Sequence, residues 1–202
     1  YYMEEEPYVM NTIALFNKEV EEEFFSKYRA AGITDTEMDR FRKAVRAVEY
    51  QMKEKAYPGG HTADTMGGVL QDMRTRLGAE KFDEIDKLVR ENWFKLWKKH
   101  VLSALQKAEI VTPEQMEEMM KNQYYSTVFH KRYLPELFSE SGEFRGMQAM
   151  IYKPIKGDLD DETLNMTFAT MLKGAALIKM AHRKMAVKLN VAVIRSVFPE
   201  DI

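Results

Sequence analysis

The longest segment without a helix breaker most constrains how this chain can fold. Residues 80–108 contain neither glycine nor proline, and large apolar residues recur along them every three or four positions. This spacing places the apolar side chains on one face of an α-helix. A helix of that length would be roughly 43 Å long. Because a compact domain of this size is narrower than that, we expect part of the helix to project or to pack on a partner.

The whole chain is poor in helix breakers. Its 202 residues include 10 Gly and 6 Pro, where average usage would give roughly 14 and 10. The sequence therefore predicts an all-α protein of five to six helices, two of them long. The predicted helices cover residues 8–30, 35–56, 63–77, 80–108, 113–122 and 160–197, although the β-branched residues of 191–197 also allow an extended end.

Local signals mark where these helices begin and end. Gly32 and Gly78 lie where helix C-termini are expected. Thr34 with Glu37, and Thr112 before Pro113, have the chemistry of helix N-termini. Periodicity also predicts the inward-facing residues, which include Val9, Ile13, Phe16, Val20, Phe24 and Tyr28 in the first helix, Met38, Phe41, Val45, Val48 and Met52 in the second, and Phe168, Ile178, Ala181 and Leu189 in the last.

One region does not fit the helical pattern. Residues 123–159 contain five of the chain's sixteen prolines and glycines, together with several aromatic residues. Connections this long are uncommon in compact domains and usually have a function. We predict an extended, aromatic-rich interaction loop, whose candidate contact residues are Tyr124, Tyr125, Tyr133, Tyr152, Lys153 and Lys156.

Length and composition limit the classes of protein to which the chain can belong. Its 202 residues suit a single helical domain, with residues 1–56 as a separable helical hairpin and 62–198 as the main module. There is no cysteine, which excludes disulfides and thiolate metal sites. No signal peptide or membrane-spanning segment is recognisable. The first residue is not Met, so we expect a fragment or processed piece of a longer protein.

Charge is separated along the chain, although the net charge is only -2. Residues 1–39 carry ten acids and three bases, a balance of −7, whereas 163–198 carry six bases and no acid. Within the basic stretch 173–195, four residues define a basic ridge: Lys179, Arg183, Lys184 and Lys188. The ridge either packs near the acidic first helix, within or between chains, or binds nucleic acid or an anionic membrane surface. A solvated face without a particular role is the third alternative.

Recognisable catalytic chemistry is absent from the sequence. The histidines do not form a metal-ligand motif, and there is neither a phosphate-binding glycine loop nor a nucleophile elbow. Gly59-Gly60-His61-Thr62 resembles a ligand-binding turn, but a linker between helices explains it better. We expect no cofactor, no metal site and no enzymatic activity. An enzyme of unrecognised class would centre on His61 or His130.

One series of motifs is more specific than a general helical pattern. Arg76-Leu77-Gly78 leads to Phe82 and the long helix; Thr112-Pro113-Glu114, Tyr133-Leu134-Pro135 and Tyr152-Lys153-Pro154 follow, and then comes a helix with Ala181-His182-Arg183-Lys184. Over about 75–190 this order resembles helical regions of the large polyvalent proteins of bacteriophages and mobile elements. The chain departs from that pattern at Glu109, where the turn glycine is missing, at Asp158, which replaces a serine, and at Lys184, which replaces an asparagine.

The resemblance implies a biological setting and no catalytic residue. It suggests a non-enzymatic scaffold or interaction module, virion-associated or in the bacterial host cytoplasm, which acts in assembly or DNA ejection. Protein partners or self-association would then be its main interactions. The alternatives are a nucleic-acid-binding helical module that uses the basic ridge, and the unrecognised enzyme.

Overall fold

The computed structural model of the chain describes residues 2–52, 63–121, 123–124 and 165–197. These residues form six helices and no strand, which confirms the predicted all-α class. The helices are α1 (residues 2–30), α2 (Asp35–Met52), α3 (Ala63–Leu77), α4 (residues 79–107), α5 (Pro113–Met120) and α6 (Met166–Val197). The two long helices predicted from the apolar spacing correspond to α4 and α6. Apart from residues 123 and 124, the predicted loop at 123–159 lies outside the described residues.

Both predicted glycines lie at helix ends, in conformations that require glycine. Gly32 has a φ of +73°, and its N–H donates to the Arg29 carbonyl at 2.9 Å. Gly78, with φ +84° and ψ 155°, separates α3 from α4. Side chains with a Cβ rarely adopt these angles, whereas glycine does so at no steric cost.

Two reciprocal side-chain caps begin α2 and α5, as the sequence predicted. The Glu37 N–H donates to Thr34 Oγ1 at 3.2 Å, and the Thr34 N–H donates to Glu37 Oε2 at 2.8 Å. The same exchange joins Thr112 to Gln115. Each cap satisfies backbone N–H groups that have no partner within the helix.

The long helix α4 packs against the core along most of its length, so the expected projection is not seen, while packing on a partner stays a prediction. Its buried side chains continue from Ile85 to Ala108. Two π-helical turns, Leu88–Trp93 and Lys98–Leu102, interrupt it. Buried residues continue through both turns, with Trp93, Trp97 and Val101 four residues apart. A single apolar stripe therefore faces the core along the whole of α4.

Helices α1, α2 and α6 surround α4 and share one hydrophobic cluster with it. α1 contributes Phe16, Val20, Phe24 and Tyr28; α2 contributes Met38, Phe41 and Val45; and α6 contributes Leu177, Ile178 and Ala181. α3 pairs with α2 and buries Met73. α6 approaches closely at Gly174, where a Cβ would lie 2.9 Å from Phe16 Cε1.

Three apolar residues predicted to face inward are exposed instead. Met52 lies near the end of α2, and Phe168 and Leu189 lie near the two ends of α6. The neighbouring helices no longer face those positions, so periodicity alone overestimated the buried stripe. α6 remains helical as far as Val197, so the extended alternative for 191–197 is wrong.

A buried arginine joins α2, α4 and α6. Arg42 is fully buried, and its guanidinium carbon lies 4.3 Å from the centroid of the Trp93 ring. Its Nη1 donates to Thr167 Oγ1 at 2.8 Å. Contact with an aromatic face and hydrogen bonding offset part of the cost of removing this cation from water.

Candidate functional site

The structure divides the predicted basic ridge into two pairs. Lys184 Nζ donates to the Glu109 carbonyl oxygen at 2.7 Å, and Lys188 forms an ion pair with the Glu109 carboxylate. Among the described residues, neither Lys179 nor Arg183 has an ion pair. Half of the ridge therefore fastens α6 to the end of α4, and Arg183 remains exposed.

Glu109 occupies a backbone position that usually belongs to glycine. Its φ is +52°, and the N–H groups of Glu109 and Ile110 donate back to Gln106 and Leu105, both at 2.9 Å. These hydrogen bonds end α4. The nearby Lys188 ammonium lowers the pKa of the Glu109 carboxyl. The missing turn glycine is thus replaced by a residue that binds two lysines of α6.

Among the side chains that the structure describes, no acidic residue of α1 pairs with the ridge. α1 and α6 pack against each other, with the Tyr8 and His182 rings edge to face at 5.3 Å. However, Glu19 of α1 accepts hydrogen bonds from Lys99 and His100 of α4. Helix packing thus agrees with the proximity hypothesis, while Glu19 of α1 pairs with α4 and Lys188 of α6 pairs with Glu109 in the turn after α4.

Tyr124 is the one predicted contact residue of the loop that the structure describes. Its hydroxyl donates to Asp86 Oδ1 at 2.6 Å, and the side chain is half-buried. Burial and the Asp86 carboxylate raise the pKa of the Tyr124 hydroxyl. The other five contact residues lie outside the described residues: Tyr125, Tyr133, Tyr152, Lys153 and Lys156. His61 and His130, the centres of the enzyme hypothesis, also lie outside them.

A groove that the sequence did not predict lies between α1, α4 and α6. Its volume is about 680 Å³, within the range of ligand-binding clefts. It is lined by Tyr8, Val9 and Thr12 of α1, by Lys99, His100, Ser103, Ala104 and Lys107 of α4, and by His182, Met185, Ala186 and Leu189 of α6. We call this the α1/α4/α6 groove. Its lining combines an apolar floor with basic side chains.

Several polar groups in and beside the groove are already hydrogen-bonded. Ser103 Oγ donates to the Lys99 carbonyl oxygen at 2.5 Å, and Thr12 Oγ1 donates to the Tyr8 carbonyl oxygen at 3.0 Å. Since a carboxylate only accepts, His100 Nε2 donates to Glu19 Oε2, at 2.8 Å. Hydrogen bonds from Lys99 and then His100 lower the pKa of the Glu19 carboxyl. Each of these hydroxyl and imidazole donors is therefore already engaged within the protein.

An exposed apolar segment of α6 continues the groove beyond the bundle. Residues 187–197, which we call the apolar tail, expose Val187, Leu189, Val191, Val193, Ile194 and Val197. Nine of the twelve large apolar residues exposed in the described structure lie in α1 or in this tail. A concentration of exposed apolar surface usually marks an interaction site.

Sequence reasoning missed both the groove and the tail for an identifiable reason. We assigned Leu189 to the inward face and took the β-branched residues of 191–197 only as a possible extended end, although the apolar residues of 187–197 lie on several sides of the helix. A helix that is apolar on more than one side needs more than one neighbour. The excess of apolar residues on several sides of the helix was the signal in the sequence that pointed to a further neighbour. The meeting of Tyr8, Lys107 and Leu189 was not readable from the sequence, because it depends on how three distant segments pack.

Comparisons with known proteins add no family to these observations. No protein-family model, curated protein or solved structure matches the chain. Within the described residues, no group of three or more histidine or acidic side chains is placed to hold a metal ion. In the same part of the chain, every helix is too short or too polar to cross a membrane.

Proposed function

We propose that this chain is a non-enzymatic helical interaction module that docks a protein partner in the α1/α4/α6 groove and along the apolar tail. The observation that carries the proposal is the continuity of the two surfaces. Leu189 belongs to both, and 57% of it is exposed. Burying such side chains against a partner would stabilise a complex by about 1.5–3 kcal/mol each.

The hydrogen bonding of the groove supports binding over chemistry. Ser103 and Thr12 donate to backbone carbonyls of their own helices. The Glu19 carboxylate accepts hydrogen bonds from two neighbouring side chains of α4. Substrate activation would require breaking these hydrogen bonds. A docked helix would leave them intact.

The resemblance to large polyvalent proteins supplies the biological setting for this proposal. The module would belong to a longer protein of a bacteriophage or mobile element, in the virion or in the host cytoplasm. Its docking surface would hold another protein during virion assembly or DNA delivery. The basis is the order of motifs over about 75–190, from Gly78 to Arg183.

A photo-crosslinking amino acid at position 189 of the parent protein tests the docking proposal. Position 168 provides the matched control, because Phe168 is also an exposed apolar residue of α6 and lies outside the groove. We expect an adduct with one protein at 189 and not at 168, identified by mass spectrometry. Equal labelling at both positions, or adducts only with DNA or lipid, would contradict protein docking.

Nucleic-acid binding is the second candidate function, and the exposure of Arg183 favours it. Because Lys184 and Lys188 bind Glu109, non-specific contact with phosphates would depend on Lys179 and Arg183. Replacing those two residues with Glu should then abolish a salt-sensitive mobility shift of DNA. A shift that survives this double change would count against the basic ridge as its cause.

A further inference from the structure

We infer that the partner segment of the α1/α4/α6 groove is an acidic amphipathic helix, with apolar residues towards the floor and carboxylates along its edges. This inference rests on the proposed docking function and adds the chemistry of the partner. Three observations support it: the charge of the groove lining, the length of the continuous apolar surface, and the charges that the other possible occupants would bring.

Among the described residues, the lining of the groove contains two lysines and two histidines and no acidic side chain. Lys99 and Lys107 line it together with His100 and His182. Glu19, outside the lining, holds Lys99. Lys107 is exposed and has no ion pair among the described residues. A segment with carboxylates at its edges would therefore complement this site, and charge complementarity favours the correct partner and its orientation.

The shape of the surface suits a helix that lies along α6. His182, Met185, Ala186 and Leu189 line the groove at helical spacing. Val193 and Val197 continue the same side of α6 at intervals of four residues, and both are exposed. From 182 to 197 this strip is roughly 23 Å long, which is about four helical turns. Helix-in-groove recognition uses apolar anchors over this length.

A second copy of the chain fits the groove less well than an acidic helix does. Its apolar tail would bring Lys188 and Arg195 towards Lys107, and the stretch 163–198 contains no acid to offset them. An anionic bilayer is also disfavoured, because two of the tail-proximal bases, Lys184 and Lys188, bind Glu109. Interfacial helices instead present their bases beside the inserted apolar face.

Two synthetic peptides of about 16 residues test the inference on the whole chain. Both place leucines at helical spacing; one carries glutamates on its flanks and the other carries lysines at the same positions. Fluorescence anisotropy titrations compare the native protein with Lys107→Glu, Leu189→Asp and the control Phe168→Asp. Circular dichroism checks that each variant keeps its helices, and all three substitutions fall on exposed side chains.

We expect the acidic peptide to bind, and the basic peptide to bind at least about tenfold more weakly. Leu189→Asp should weaken binding about tenfold by removing an apolar anchor. Lys107→Glu should weaken it severalfold and reduce its salt dependence, while Phe168→Asp should leave it unchanged. Equal binding of both peptides would overturn the inferred partner chemistry but leave docking in the groove intact.

The remaining outcomes separate the inference from the proposed function. If neither peptide binds and the protein sediments as a dimer that Leu189→Asp dissociates, the occupant is a second copy and the inference is wrong. If only anionic vesicles bind, and Leu189→Asp prevents it, protein docking itself is wrong. Insensitivity of every interaction to Leu189→Asp would overturn both the inferred partner and the docking surface.

Discussion

At the scale of single residues, Gly174 permits a close helix contact in the core. A Cβ at this position would lie 2.9 Å from Phe16 Cε1 and 3.1 Å from Trp97 Cζ3. Gly174→Ala should therefore lower the free energy of unfolding by about 1–3 kcal/mol through overpacking, despite the higher helix propensity of alanine. Urea denaturation measures the change.

The control for that substitution is Gly67→Ala in α3. Its added Cβ would meet no atom within 4 Å, so only the helix propensity changes. We expect Gly67→Ala to leave the free energy of unfolding unchanged or to raise it by up to about 1 kcal/mol. Equal destabilisation by the two substitutions would show that the contact at Gly174 is not as close as described.

Two helix-ending turns with different residues allow a second comparison. Gly32 and Glu109 both have positive φ angles, and each ends a helix through backbone hydrogen bonds. Gly32→Ala should lower the free energy of unfolding by about 1 kcal/mol, because alanine is strained at that φ. Urea denaturation again provides the measurement.

Glu109→Gly, the converse substitution, relieves strain but removes the ion pair with Lys188. These effects oppose each other, so we expect a smaller change than in Gly32→Ala. Glu109→Ala loses the ion pair and keeps the strain, and it should be the less stable of the two Glu109 variants. The reverse order would contradict this account of the turn.

At the scale of helices, Glu37 connects the cap of α2 to α3 and makes stability depend on pH. Hydrogen bonds from the Thr34 N–H and from Arg76 lower the pKa of its carboxyl to about 2. Since the folded-state pKa lies below the unfolded value, the stabilisation is complete above about pH 4.5 and is lost as the pH falls towards 2. Its size is on the order of 2 kcal/mol.

Glu37→Gln isolates this contribution. The amide keeps an oxygen for the cap but cannot ionise, so the variant should be less stable than the native chain at pH 7. Near pH 2 the two free energies of unfolding should converge, because the native carboxyl is then protonating. Parallel pH profiles from urea denaturation between pH 7 and pH 2 would contradict the role given to Glu37.

Among the helices, some features were predictable from sequence and others were not. Helix ends such as Thr34 with Glu37, Gly32 and Thr112 depend on chemistry within a few residues, so local patterns located them. The π-helical turn at Lys98–Leu102 left no local signal, because the buried residues Trp97 and Val101 are four apart, as in a regular helix. Burial of Phe168 and Leu189 was wrongly predicted, because burial depends on whether another helix lies opposite.

At the scale of the whole molecule, the candidate site escaped prediction because its parts are distant in sequence. Tyr8, Lys107 and Leu189 meet only after α1, α4 and α6 have packed. Lys184 and Lys188 lie four residues apart on one face of α6, but their partner, Glu109, lies more than seventy residues earlier. The charge pattern left open whether the ridge has partners, because packing between distant segments determines that.

The shared core predicts that residues 62–202 alone will not fold as a cooperative unit. Phe16 and Phe24 of α1 pack against α4, with Phe24 5.2 Å from the Trp93 ring, and Arg42 covers the same ring. Removing residues 1–61 would expose Trp93 and a large apolar face of α4. We expect red-shifted tryptophan emission and a broad unfolding transition, because Trp93 and Trp97 are both buried in the full chain.

Tyr8→Ala in the full chain controls for changes outside the core, because 65% of Tyr8 is exposed. It should keep the native emission and a sharp transition.

Residues 62–202 that retain buried tryptophans and unfold cooperatively would instead establish 1–56 as the separable hairpin that the sequence suggested. The docking surface would then lose only its α1 wall, and Leu189→Asp should still weaken binding of the acidic peptide. If the shared core is required, the truncated chain should lose binding altogether, since the α4 and α6 walls hold their positions only around Phe16 and Phe24.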